Sequence, residues 1–266
     1  MTTQTKTFAP DYPRNEQGWL LFPRDAERRK ELFPQEVFEH PAKMNLFLCQ
    51  ELVRYLTEPG DIVLDCFGGT GTLLIGATEG RHIILIELES SYVELLNLSA
   101  NQIPHSDVNV AILPGDCRLV LPVPCDAAIF SPPYATSLTR PREKDLEKGI
   151  GGSYTQQTIA YAEKASALNL ARLNPFNYVQ AMGKVFKLLY ESLPSGGPIA
   201  VVTKDIIKGD KRVFLSEGTI RLASKSGFVL TEWFKWLPPG SVFTRMNQKK
   251  GWSVILDEDV LILRKP

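Results

Sequence analysis

The stretch Asp61-Ile62-Val63-Leu64-Asp65-Cys66-Phe67-Gly68-Gly69-Thr70-Gly71-Thr72-Leu73 decides the fold. After Asp61 its first residues, Ile62 to Leu64, are apolar and partly β-branched, as expected of a strand buried on both faces. Glycines then let the backbone turn sharply and come close to a ligand, and an apolar helical pattern resumes over residues 73–77. Strand, glycine turn and helix in that order form the context in which such a turn binds a nucleotide-like cofactor through helix N–H groups. A bare G-x-G carries little weight. Its position directly after a strand is what makes it informative.

Outward from this turn the same alternation continues. Upstream, Met44, Phe47, Leu48, Leu52, Val53 and Leu56 recur at helical spacing, and Pro59-Gly60 stops the helix. Downstream, residues 82–86 read as a second strand ending in Glu87, about 20 residues beyond Asp65, where an acid holds a ribose hydroxyl pair. Alone, such a carboxylate would be an ordinary strand end. Tyr92, Leu95 and Leu96 continue as a helix, and residues 108–113 form a third strand closed by Pro114-Gly115-Asp116-Cys117. Asp116 is placed either to accept from an adenine amino group or to make a turn with Gly115.

The fourth strand, residues 126–131, runs into Ser131-Pro132-Pro133-Tyr134. Neither proline has an N–H and each fixes its own φ, so the chain leaves the strand in one stiff shape. A carbonyl acceptor and a hydroxyl can then converge on one small group beside an aromatic ring. A lone Pro-Pro would be read as a strand-ending turn; the two upstream features favour a catalytic reading here.

Past Tyr134 the pattern breaks. Residues 135–174 contain Arg140, Arg142, Lys144, Lys148, three glycines, Tyr154 and a polar helical stretch over residues 156–173. So long an excursion is functional or unstructured. An amphipathic helix over residues 178–193, a fifth strand over 199–202 with Lys204-Asp205 at its tip, and a helix over 219–226 follow. The last two strands, residues 228–236 and 254–263, are expected to form an antiparallel pair at the sheet edge. Alternation of this kind predicts a doubly wound α/β sheet with helices on both faces.

Composition limits the alternatives. The chain has 266 residues, 44% of them hydrophobic, enough for one large α/β domain. Thirty basic and thirty acidic side chains cancel, so any nucleic-acid footprint must be local. Cys49, Cys66, Cys117 and Cys125 show no C-x-x-C spacing, which predicts reduced thiols and no metal site. No apolar leader or membrane-length run is visible, and a soluble cytoplasmic protein is expected. Residues 1–39 read as an arm that packs Trp19, Leu20, Leu21 and Phe22 on the domain, with Arg24, Arg28, Arg29 and Lys30 on a solvated short helix.

The turn at Asp65 to Thr72, the acid at Glu87, Gly115-Asp116 and Ser131-Pro132-Pro133-Tyr134, in this order, resemble the amino-group DNA methyltransferases, which methylate the exocyclic nitrogen of cytosine or adenine. The resemblance covers residues 39–266 and implies a Rossmann-like class I methyltransferase sheet, mostly parallel, over residues 40–266. It implies S-adenosylmethionine as cofactor. Pro41, Lys43 and Met44, in His40-Pro41-Ala42-Lys43-Met44, resemble the family segment beside the methionine end of that cofactor. Asp65, Phe67, Gly68, Gly69, Thr70, Gly71 and Thr72 resemble the cofactor loop, with Cys66 where proline is usual. Glu87 with Tyr92 resembles the ribose segment, and Asp116-Cys117 lies where the adenine is held. Ser131, Pro132, Pro133 and Tyr134 match the catalytic tetrapeptide in its serine form, which in this family resembles the cytosine-N4 version.

The implied substrate is double-stranded DNA with the target base flipped out. Arg140, Arg142, Lys144, Lys204 and Lys208 are expected at phosphates, with Lys211 and Arg212 beside them. Base recognition falls by elimination to residues 135–174. Adenine N6, an RNA or protein-glutamine amide, and a non-catalytic module that binds the cofactor are the competing readings. A cognate restriction endonuclease, and a monomeric or homodimeric state, are left open.

Overall fold

A four-residue strand, β1 (Ile62–Asp65), sits at the centre of the sheet and pairs in parallel with β2 (His82–Glu87) on one side and β4 (Ala127–Phe130) on the other. The computed structural model describes residues 6–39, 43–105, 107–135, 163, 165–208, 211–240, 246, 248–251 and 253–266. The strand β3 (Val110–Pro114) extends the sheet beyond β2, and β5 (Pro198–Thr203) extends it beyond β4, all in parallel. Two further strands, β8 (Val229–Trp236) and β9 (Glu258–Arg264), complete the seven-stranded order β3-β2-β1-β4-β5-β9-β8. The expected antiparallel pair is present, with β9 inserted between β5 and the edge strand β8.

Successive residues along the central strands alternate between two cores, as the strand period of two requires. Val63, Ile129, Ala200 and Ile262 enter one core, while Leu64, Phe130, Val201 and Leu261 enter the other. The first core is covered by α2 (Leu46–Leu56), a 3-10 helix (Thr72–Glu79) and α3 (Ser90–Gln102). The second is covered by α5 (Pro175–Ser192) and α6 (Leu215–Lys225). Helices therefore lie on both faces, as expected.

The predicted helix after the glycine turn is 3-10 rather than α. The predicted polar helix over residues 156–173 falls mostly outside the described residues, and its described end is a 3-10 turn, Leu170–Arg172. The short α4 (Cys117–Val120) and a hairpin of β6 (Ile206–Lys208) with β7 (Lys211–Val213) had no sequence signal strong enough to find them.

Residues 8–37 contribute Phe8, Leu20, Phe22, Phe33 and Val37 to the first core. Leu20 also bonds the outer edge of β8: its N–H donates to Lys235 O at 2.9 Å, and Leu237 N–H donates to Leu20 O at 2.9 Å. The end of the edge strand at Lys235 and Trp236 is thereby covered. One expectation for this arm fails. Arg24, Arg28 and Lys30 are exposed, but Arg29, on α1 (Ala26–Leu32), is only 1% exposed. Its guanidinium pairs with Asp25 Oδ2 at 2.7 Å and donates to Met44 O at 2.9 Å. Burying a charge is tolerated only with such partners. Asp25 lies at helical spacing from Arg29, but Met44 comes from a later stretch of chain that periodicity cannot bring together with it.

Candidate active site

The C-terminal ends of the parallel strands define one continuous rim. Glu87 pairs with Pro114, Asp65 with Leu85, and Phe130 with Val201. Asp116, Glu87, the glycine turn and Ser131 therefore follow one another across the sheet, although the chain visits them as 65, 87, 116 and 131. Strand order reverses between β1 and β4, and open α/β sheets bind ligands at that crevice.

The glycine turn is held from two sides. Gly68 N–H donates to Ile86 O at 2.9 Å, and Gly69 N–H donates to Glu87 Oε2 at 2.6 Å. Gly69 and Gly71 have φ of +51° and +81°, the left-handed region that favours glycine. A Cβ on Gly71 would also come within 2.7 Å of Leu96 Cδ2. Thr70 and Thr72 are buried, and Thr72 Oγ1 accepts from Arg29 Nη1 at 3.3 Å. Phe67 packs on Phe130 at 5.8 Å between ring centroids, which links the turn to the strand that carries Ser131. Cys66 is buried in the second core, and burial pushes its thiol well above the usual range.

Asp65 and Glu87 are both buried. Burial, with the neighbouring Glu87 carboxylate, pushes Asp65 up to about 7 despite a hydrogen bond from Phe67 N–H. Burial likewise pushes Glu87 up to about 7, although Glu89 N–H (2.8 Å) and Gly69 N–H donate to it. Among the described residues neither has an ion-pair partner. Two uncompensated carboxyls beside a glycine turn suit a ligand that brings a cation and hydroxyl groups.

Asp116 is in a different state. Burial works upward, but Arg118 outweighs it and holds the carboxyl below the usual range. Arg118 Nε lies 2.8 and 3.0 Å from the two carboxylate oxygens, and Asp116 Oδ1 also caps α4 through Arg118 N–H at 2.9 Å. These bonds give Asp116 a capping and ion-pairing role with Arg118, and none of them is made with Gly115. Cys117 is buried beside it, its thiol pushed up to about 12 by burial. Lys43 is lowered to about 8 by burial and the nearby Arg29 charge, and half-buried Met44 accepts from Arg29.

Ser131 is half-buried and Pro132 buried directly after β4. The Phe130 ring packs between Phe67 and Phe186, the latter at 6.3 Å, so the turn leaves a rigid base. Pro133 and Tyr134 are half-buried. Burial raises the Tyr134 phenol above its ordinary range, while hydrogen bonds with the Thr203 side chain and the Lys204 backbone tie it to the end of β5. The ring is held in place by its own hydroxyl.

The expected basic rim is only partly described. Pro41, Arg140, Arg142 and Lys144 lie outside the described residues, as does the side chain of Lys208. Lys204 stands 3.8 Å from Glu258, and Arg212 pairs with Asp205 at 2.8 Å. Both cations thus have partners within the chain, while Lys211 is exposed. Among the described residues no group of His, Cys, Asp and Glu could hold a metal ion, and no helix is long and apolar enough to cross a membrane.

This sheet order, with its rim of loops, is that of a Rossmann-like class I methyltransferase fold. A SAM-dependent methyltransferase from Methanosarcina mazei superposes with a TM-score of 0.51 at 11% identity, covering 80% of this chain and 96% of that one, a likeness of fold alone. Residues 5–98 match the DNA methylase family of N6 and N4 methyltransferases, so the match includes most of the N-terminal arm. Type II methyltransferase M.BglI of Bacillus subtilis is 48% identical over 60 residues, and M.PvuII of Proteus hauseri is 42% identical over 55. These matches span 22% and 20% of this chain, and only 17% and 16% of the relatives' lengths. Residues 5–98 are thus similar to a segment of the amino-group DNA methylases.

Proposed function

We propose that this chain is an S-adenosylmethionine-dependent DNA methyltransferase acting on an exocyclic amino nitrogen, and that its target is cytosine N4. The observation that carries the cytosine reading is Ser131, a short neutral hydroxyl, at the rigid end of β4 beside the glycine turn. The family match and the relatives support amino methylation of DNA in general.

Bound at the rim, the cofactor would supply an electrophilic methyl group on a sulfonium sulfur. Glu87 would take the ribose hydroxyls, and Asp65 would face the cationic methionine end. An aromatic amine is a poor nucleophile because its lone pair is delocalised into the ring. The Ser131 hydroxyl and the Pro132 carbonyl would each accept one amino hydrogen, holding both out of the ring plane and relocalising the lone pair. Positioning and electrostatics then carry the rate, with no covalent enzyme intermediate. A base cannot reach this recess while stacked in a duplex, and Tyr134, fixed through its phenol, would offer a face to the flipped base.

Digestion of methylated DNA to nucleosides with mass detection is expected to return N4-methylcytosine. N6-methyladenine alone would overturn the cytosine reading and leave amino methylation standing. Methylation of RNA or protein without DNA would overturn the substrate class.

The buried acids add a pH dependence. Asp65 and Glu87 rise from ordinary values of 3.8 and 4.5 to about 7, so their contribution to stability is full below about pH 4 and is lost as pH rises through about 7. A cationic, hydroxyl-bearing cofactor favours the ionised forms, so its binding releases protons. Thermal unfolding between about pH 5 and pH 8 is expected to show a cofactor-induced rise in Tm that grows with pH. A pH-independent rise would remove these two carboxyls from the site.

A further inference from the structure

Glu89 stands just past the rim of β2, in the position that caps α3, yet its side chain makes no capping bond to that helix. It is used elsewhere. Both carboxylate oxygens accept from Ser166 N–H, at 3.0 and 2.9 Å, and Oε1 also accepts from Asn169 Nδ2 at 2.7 Å. The backbone N–H of the same residue donates to Glu87 Oε1 at 2.8 Å.

A second tie lies one loop away. Arg118, which chelates Asp116, also donates through Nη2 to Leu168 O at 3.1 Å. The short stretch from Ser166 to Asn169 is therefore pinned beside both rim acids, Glu87 and Asp116. On either side of it the chain is buried at Ala165, Leu170 and Ala171, but Leu168 is 55% exposed. Leu168 thus stands exposed on a backbone held at Ser166 N–H and Leu168 O, next to the Asn169 side chain that Glu89 also holds.

We propose that Ser166 to Asn169 forms the outer wall of the adenosine pocket, that Leu168 supplies its apolar cover over the adenine, and that Glu89 is the positioning residue that holds the wall. This rests on the methyltransferase reading above; residues 166–169 lie outside the family match, and Glu89 lies within it but in neither the glycine nor the proline motif. The adenine ring is flat and apolar on its faces, and ligand pockets of this kind are lined mainly by apolar side chains with a few oriented polar groups. Glu89 links the wall to the ribose acid through one residue, so the two sides of the pocket keep a fixed spacing.

The test uses calorimetric affinities for S-adenosylhomocysteine and for 5′-methylthioadenosine, which lacks the amino-acid half. Leu168→Ala is a surface change and should leave the Tm of the free protein unchanged. It is expected to weaken both ligands by the same factor, about fivefold to tenfold for loss of part of a leucine's burial. Glu89→Ala and Asn169→Ala should weaken both ligands equally as well. In the unaltered protein S-adenosylhomocysteine should protect residues 165–173 from hydrogen exchange, and Glu89→Ala should abolish that protection. Unchanged affinities in Leu168→Ala, or losses confined to S-adenosylhomocysteine, would overturn the wall. If the unaltered protein bound neither ligand, the methyltransferase reading itself would fall, and the wall with it. Should Glu89→Ala fail to fold, Leu168→Ala and Asn169→Ala still decide.

Discussion

Replacing Ser131 with alanine is expected to lower kcat by on the order of 100-fold or more, the usual loss for one preorganised catalytic hydrogen bond. The change should be local. Ser131 follows Phe130, whose ring is packed against Phe67 and Phe186, and precedes Pro132, which is buried. Neither anchor depends on the Ser131 hydroxyl, so the turn should keep its shape and the Pro132 carbonyl its place. One of two acceptors for the amino hydrogens is then gone, and the lone pair stays partly delocalised. S-adenosylmethionine affinity should be nearly intact, because the hydroxyl addresses the target and not the cofactor. Single-turnover methylation of DNA together with calorimetry separates the two effects. A rate within about twofold of the unaltered protein would remove the hydroxyl from the mechanism, since a catalytic hydrogen bond is worth far more than that.

The second large effect is expected at Glu87. Its carboxylate shapes the glycine turn through Gly69 N–H at 2.6 Å and sets the start of α3 through Glu89 N–H at 2.8 Å. In the proposed complex it also takes the ribose hydroxyls. Glu87→Ala leaves those donors unpaired and should weaken S-adenosylmethionine by about 1.5–3 kcal/mol per charge-assisted bond lost, roughly 10- to 100-fold in Kd. Glu87→Gln retains an acceptor of nearly the same shape but no charge, so its loss should be smaller. Because the carboxyl is pushed up to about 7, the affinity of the unaltered protein should approach that of Glu87→Gln as pH falls below that value. Calorimetry on the three proteins across pH checks this. An unchanged Kd in Glu87→Ala would take the ribose assignment away from this residue.

Where local chemistry decides an element, the sequence was enough. The strand and glycine turn at Asp65 to Thr72 were legible because apolar β-branched residues and left-handed backbone positions have few other uses. The end of β4 was legible because two consecutive prolines cannot continue a strand. Glu87 was found by its position after a strand. Glu89, two residues later, was missed because its partners, Ser166 and Asn169, lie far along the chain, across a long excursion. A second acid past the same strand end was the only local sign of it. Arg118 was missed for the same reason. It follows Asp116 by two residues, but its tie to Leu168 exists only once the excursion returns.

Arg29 shows the opposite error. In a short helix with Arg28 and Lys30 it reads as one more solvated cation, and only packing reveals that its guanidinium is buried against Asp25, Met44 and Thr72. A side chain's partners fix its burial, and for this residue all but one come from other elements.

By itself, then, the sequence determined the alternation of strands and helices, the conformations of the glycine and proline turns, and the residue types available for chemistry, since these depend on interactions over a few positions. Tertiary structure decided their arrangement. The chain meets its motifs as 65, 87, 116 and 131, but the sheet order β3-β2-β1-β4 sets them out as Asp116, Glu87, Asp65 and Ser131. Two parallel crossovers on one side of β1 and a reversal on the other produce that rearrangement, because parallel strands must return over the sheet before pairing. The reversal at β1 and β4 places the glycine turn next to the serine, and that adjacency is the physical basis of the proposed methyl transfer.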